Sequence, residues 1–197
     1  MLLKKIGIKE IVVGYDYTFG HNRLGDISLL KALGEELGFK VHVVEPVYID
    51  RRLVSSTSIR ELVREGKFSL AEAFLGRHYQ ISGVVIKGAN RGGRLLGFPT
   101  ANLKVVDELI PRMGVYAVKV NVEENTYNGV TNIGTNPTFG EHALSVETHL
   151  LDFSGDLVGK TIRIIFLQRL RDEITFSSIE ELANQIAEDI RVAKELF

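Results

Sequence analysis

Apolar residues along the chain keep two different periods, and the change falls near residue 76. Before it, Ile11-Val12-Val13 is a short apolar run closed by Gly14, the pattern of a strand buried in a parallel sheet. Leu29, Leu30, Leu33 and Leu37 recur at helical spacing, which predicts a helix over Ser28–Leu37 stopped by Gly38. Val41–Val44 reads as the next strand, and Ser55 opens a helix that runs through Arg64 to Gly66. Phe68–Leu75 reads as one more short helix. Beyond residue 76 the alternation has period two: Ile81–Ile86, Val115–Val122, Asn128–Ile133, Leu144–Phe153 and Ile162–Leu170. Turn signals at Glu123–Asn125 and Ser154–Asp156 separate them, and several short strands at such spacing predict a β-barrel or sandwich. A last helix carries Ile179, Leu182, Ile186, Ile190, Ala193 and Phe197 as its apolar stripe. Ser177 and Ser178 are its candidate caps, with Glu180 and Glu181 placed for a capping box. The expectation is an α/β segment over residues 1–75 and a β-barrel with a C-terminal helix over 76–197.

Composition narrows the class of function. A net charge of −1 offers no field for nucleic acid, so no such partner is expected. The absence of cysteine excludes a disulfide framework, a thiolate nucleophile and a Cys-zinc site. It also fits a reducing compartment, and a cytoplasmic location is expected. No apolar core follows the lysines of Met1-Leu-Leu-Lys-Lys, and no apolar run approaches a membrane span, so no membrane partner is expected.

The chemistry concentrates in Gly88–Asn102, a stretch with four glycines, two arginines and one proline. Glycine loses entropy in helices and strands and proline lacks the N–H, so this stretch reads as a loop. Its backbone N–H groups, with Arg91 and Arg94, suit an anion. Pro99 fixes the backbone ahead of Thr100, and the oxygens of Thr100 and Asn102 are hard donors suited to Mg²⁺. A phosphate cradle beside such donors points to a nucleotide and to phosphoryl transfer. Glu147 and His149 share one face of an otherwise apolar strand, where a carboxylate needs a partner or a task. Ser55-Ser56-Thr57-Ser58 reads first as a helix cap, with phosphate binding assisted by Arg60 as the functional alternative. Gly155–Thr161 has Walker A composition but is one residue short and precedes a strand, so a turn is the better reading. The five histidines show no metal-ligand spacing.

The run Gly93-Arg94-Leu-Leu-Gly97-Phe98-Pro99-Thr100-Ala101-Asn102 resembles the signature of riboflavin kinases. In bacteria these usually form the C-terminal half of a bifunctional riboflavin kinase/FAD synthetase. Gly114-Val115-Tyr116, the Asn132–Phe139 loop and Glu147-Thr148-His149 extend the resemblance over residues 76–197. It implies a small Greek-key barrel with a C-terminal helix, using ATP and riboflavin as substrates and releasing FMN and ADP. It further implies phosphate contacts at Gly88, Arg91, Arg94, Gly97 and Pro99, and a Mg²⁺ or other divalent cation held by Thr100 and Asn102. Asn132 and Gly134 would meet substrate, and Glu147 would take the proton of the ribityl 5′-hydroxyl with His149 beside it. The isoalloxazine would lie between barrel and C-terminal segment.

Gly14-Tyr-Asp16 and Ser55-Ser56-Thr57-Ser58-Ile59-Arg60 are similar to later motifs of the FMN adenylyltransferase domain. That family also uses a Gly-x-x-His-x-Gly-His type loop, which this sequence lacks. The expectation is a Rossmann-like unit of which only the C-terminal part is present, forming no FAD and open to self-association through uncovered edges. The barrel is expected not to depend on residues 1–75. A flavin-binding relic without catalysis is the competing expectation.

Overall fold

In the computed structural model, which describes residues 7–88, 98–106, 108–135 and 144–197, the chain divides into two units, Met1–Val54 and Ser55–Phe197. In the first, β1 (Glu10–Gly14) pairs in parallel with β2 (Lys40–Val44), joined through α1 (Ile27–Leu37). Asp26 caps α1 by accepting from the Leu29 N–H, and Gly38 ends it in the left-handed region at φ 76°. Val13, Leu30 and Phe39 form the small core, with Ile11, Leu33, Val41 and Val43 packed on it. Leu29 and Leu37, expected on the packed face, are exposed. A short hairpin, β3 (Tyr48–Ile49) with β4 (Arg52–Leu53), follows.

The second unit starts with α2 (Ser56–Arg64) and α3 (Phe68–Leu75). Six antiparallel strands then close a barrel: β5 (Gln80–Ile86), β6 (Ala101–Val105), β7 (Gly114–Val122), β8 (Asn125–Thr135), β9 (Leu144–Leu150) and β10 (Thr161–Arg171). Their ring order is β10-β5-β6-β9-β8-β7, with β10 returning to β7. β7, β8 and β9 form a meander and β6 lies beside β9, which is a Greek-key connection. β6 is a difference from the loop reading: Ala101 and Asn102, the last two residues of that stretch, already belong to a strand. β9 ends at Leu150, short of the expected Phe153.

The barrel interior takes alternate residues of each strand, including Ile81, Tyr116, Val118, Val120, Ile133, Ile162, Ile164 and Phe166. This core is not self-contained at residue 76, because Val63, Phe68 and Ala71 of α2 and α3 are buried in the same cluster. Phe68 stacks on Phe166 at 5.0 Å and meets Tyr116 edge-on at 5.6 Å. Tyr79 donates to the Leu109 carbonyl at 2.5 Å, and burial, with the Glu108 carboxylate adding to it, pushes its phenol up to about 12.

Outside the barrel, α4 (Ile179–Lys194) covers Val115 and Ala117 of β7 and Val130 of β8 with Ile190 and Ala193. Ser178 caps it by accepting from the Glu181 N–H, and the Glu181 carboxylate accepts from the N–H and the hydroxyl of Ser177. Ile179, expected on the apolar stripe, is exposed. Gly155–Thr161 is a turn into β10, as its short spacing and the strand after it suggest, with Lys160 paired to Glu123 at 2.8 Å.

Candidate active site

Cross-strand register gathers the polar residues into one row on the outer surface of the barrel. Ile86 faces Asn102, Asn102 faces Glu147, Glu147 faces Asn132, Asn132 faces Val115, and Val115 faces Arg171. The inward neighbours Leu103, Val146 and Ile133 are buried core, so period two sends Asn102, Glu147 and Asn132 outward. All three are half-buried. Directly opposed pairs put side chains within about 5.5 Å at Cβ, so the carboxylate of Glu147 lies between two amides.

Thr100 precedes β6 by one residue, and strand alternation carries its hydroxyl toward the same face as Asn102. Gly88, just past β5, lies against the Asn102 side chain, which occupies the space a Cβ would need. Gly134 is buried on β8, and the Glu173 carboxylate fills the space beside it. A side chain at either glycine would displace the polar group that now rests there.

His149 lies two residues from Glu147 on β9. Its Nδ1 is 2.8 Å from the Pro99 carbonyl, and because a carbonyl only accepts, that nitrogen carries the proton. The Phe98 ring meets the imidazole edge-on at 5.6 Å.

Arg171 and Asp189 were not singled out by the sequence, and both bear on this face. The Arg171 guanidinium donates to both oxygens of Asp189 at 2.8 and 2.7 Å, and Gln185 adds a bond of 3.0 Å. Asp189 lies between Ile186 and Ile190, where helical spacing calls for an apolar residue. A charge in such a place needs a partner, and that was the available signal.

Arg91, Arg94 and Gly97 lie outside the described residues, as does the Asn136–Phe139 part of the third motif. Ser55 and Ser58 are engaged with each other in a capping box, whereas Ser56, Thr57 and Arg60 are exposed. Gly14 and Asp16 belong to the first unit and Ser55–Arg60 to the second. Among the described residues no three His, Asp or Glu side chains gather as metal ligands. No described helix is long and apolar enough to cross a membrane.

Comparison with known proteins also divides the chain in two. Residues 75–197 match the family model described as riboflavin kinase, and residues 1–58 match the model described as FAD synthetase. A Pseudomonas fluorescens protein named bifunctional riboflavin kinase/FMN adenylyltransferase is 39% identical over the whole chain, which covers 63% of that relative. The Escherichia coli K12 protein of the same name is 39% identical, again over the whole chain and 63% of the relative. The chain thus spans less than two thirds of the length of these relatives. A crystal structure described as a macrolide-efflux protein from Streptococcus pneumoniae superposes with a TM-score of 0.85 at 34% identity, over 98% of this chain and 62% of the other.

Proposed function

The chain belongs to the riboflavin kinase family, and from that premise we propose that it transfers the γ-phosphoryl group of ATP to the 5′-hydroxyl of riboflavin, giving FMN and ADP. The observation that carries this reading is the outward row in which Glu147 stands between Asn102 and Asn132. Glu147 accepts the hydroxyl proton as the ribityl oxygen attacks the γ-phosphorus. The bond from that phosphorus to the β,γ-bridging oxygen breaks, and ADP leaves with its electron pair. Little covalent work falls to the protein, so catalysis rests on alignment and on neutralising charge. Asn132 would hold a substrate hydroxyl near the carboxylate, a role supported by its register opposite Glu147.

The donors on the near side fit a divalent cation bound together with a nucleotide. The Thr100 hydroxyl and the Asn102 amide oxygen are hard but neutral, so anionic phosphates must complete the charge and the coordination. A Mg²⁺ held there would supply positive charge against that developing on the transferring phosphoryl group. Gly88 leaves room for Asn102 to remain in place, and Arg91, Arg94, Gly97 and Pro99 complete the proposed phosphate side.

The proposal covers FMN formation and not FAD formation. Of the adenylyltransferase-type residues, Ser55 is engaged in the cap of α2. The test is incubation with riboflavin, ATP and Mg²⁺, followed by separation of the flavins. FMN is the expected product. Unchanged riboflavin with retained flavin binding overturns the kinase reading, and FAD overturns its limit.

A further inference from the structure

The β6–β9 ladder stops at Ala101↔Thr148. The reason lies in the chain just before it, since Pro99 has no N–H to donate and cannot extend a ladder. Its carbonyl still needs a donor, and the nearest strand position beyond the ladder is His149. There the imidazole takes over from the backbone: Nδ1–H donates to the Pro99 carbonyl at 2.8 Å. The ring is also packed edge-on against Phe98 at 5.6 Å. Phe98 and Pro99 are thus held from β9, one residue before Thr100 and three before Asn102. The same strand carries Glu147 two residues away on the same outward face, paired in register with Asn102.

We propose that His149 is a positioning residue that fixes the Phe98–Thr100 segment to the strand of the proposed base, so that the metal–nucleotide donors and Glu147 form one rigid unit. The inference rests on the kinase reading and adds a residue to it. His149 acts through the Pro99 carbonyl and not on the reacting atoms. The carbonyl is met by Nδ1–H in neutral and protonated imidazole alike, so the function does not depend on the charge of the ring.

Two substitutions separate the hydrogen bond from the packing. His149→Phe keeps an aromatic ring against Phe98 and removes the donor. His149→Asn removes the ring but keeps a donor at the same distance along the side chain. Mg·ATP binding is followed by calorimetry without riboflavin, riboflavin binding by flavin fluorescence without nucleotide, and turnover by FMN formation. For His149→Phe the expected result is a Mg·ATP dissociation constant raised about tenfold with riboflavin affinity unchanged, a lost hydrogen bond being worth about one order of magnitude. His149→Asn is expected to stay within about threefold of the unsubstituted protein. Mg·ATP affinity equal to wild type in His149→Phe overturns the proposal. So does an equal loss of riboflavin and Mg·ATP affinity together with a lowered melting temperature, which marks a merely structural role. If His149→Phe does not fold, His149→Ala against His149→Asn makes the same comparison. An unsubstituted protein that forms no FMN removes the kinase reading and this inference with it. An active protein indifferent to His149→Phe removes this inference alone.

Discussion

Glu147 is an ionisable side chain on a strand whose other face is core, and its cross-strand partners are Asn102 and Asn132. In the proposed mechanism its carboxylate takes the proton of the attacking hydroxyl. Glu147→Gln preserves the shape and removes that ability. The variant is expected to fold and bind riboflavin normally while its turnover falls by ~10²–10⁴. An unchanged turnover number, measured by FMN formation, would take Glu147 out of the mechanism. Tyr79 allows a residue-scale test of the barrel itself. Burial raises its phenol pKa to about 12, so the folded protein keeps a proton that the unfolded chain loses near 10. Its contribution is full below the unfolded value and is lost as pH climbs toward about 12. In urea melts, Tyr79→Phe should be less stable than wild type near pH 8, by about 0.5–1.5 kcal/mol for the lost bond to Leu109. That deficit should shrink as pH rises through about 11, and a constant deficit would contradict the assignment.

Among the elements, α4 is held to the barrel by few apolar contacts, with Ile190 and Ala193 doing most of the covering. The Arg171–Asp189 pair supplies the rest of the fixation, because β10 ends at Arg171 and Asp189 is nearly inaccessible. Removing one partner leaves the other charged and poorly solvated. Asp189→Ala is expected to destabilise the second unit by about 2–4 kcal/mol, somewhat below a fully buried pair since Arg171 is partly exposed. Amide exchange should show α4 opening first, ahead of the strands. Exchange in α4 no faster than in β7 and β8 would mean that apolar contact alone holds the helix.

For the whole molecule, the packing boundary differs from the family boundary. The riboflavin kinase match begins at residue 75, whereas the compact unit begins at Ser55. Phe68 alone buries an aromatic ring against Phe166, Tyr116 and Tyr79, and losing such a side chain costs about 3–5 kcal/mol. Total stability of a domain is only about 5–15 kcal/mol. A chain starting at Ser55 is therefore expected to melt cooperatively and to form FMN, while one starting at Gly76 should be largely unfolded. Equal melting temperatures for the two would refute this placement of the core. The first unit exposes Val12 at 68% and Val44 at 52% on the sheet face away from Val13. Light scattering should accordingly show less concentration-dependent association once residues 1–54 are removed.

Period and punctuation in the sequence determine most of the elements. Helical spacing and Gly38 located α1, and alternation located five of the six barrel strands, because both record which face each residue must bury. The glycines, Pro99, Thr100, Asn102 and Glu147 stood out in the sequence because glycine and proline break regular elements and a carboxylate on an apolar strand needs a partner or a task. β6 was not legible, since a five-residue strand next to a glycine-rich stretch carries too little alternation. Nor could local pattern place Asn102, Glu147 and Asn132 in one row, because register is decided by which strands become neighbours. β10 makes the same point at the other end of the row. Strict alternation would put Arg169 and Arg171 on one face, but a bulge between them lets Arg169 oppose Tyr116 and Arg171 oppose Val115. One arginine thus turns to the aromatic core and the other to Asp189 on α4, a division that depends on barrel closure and not on either residue's neighbours in sequence.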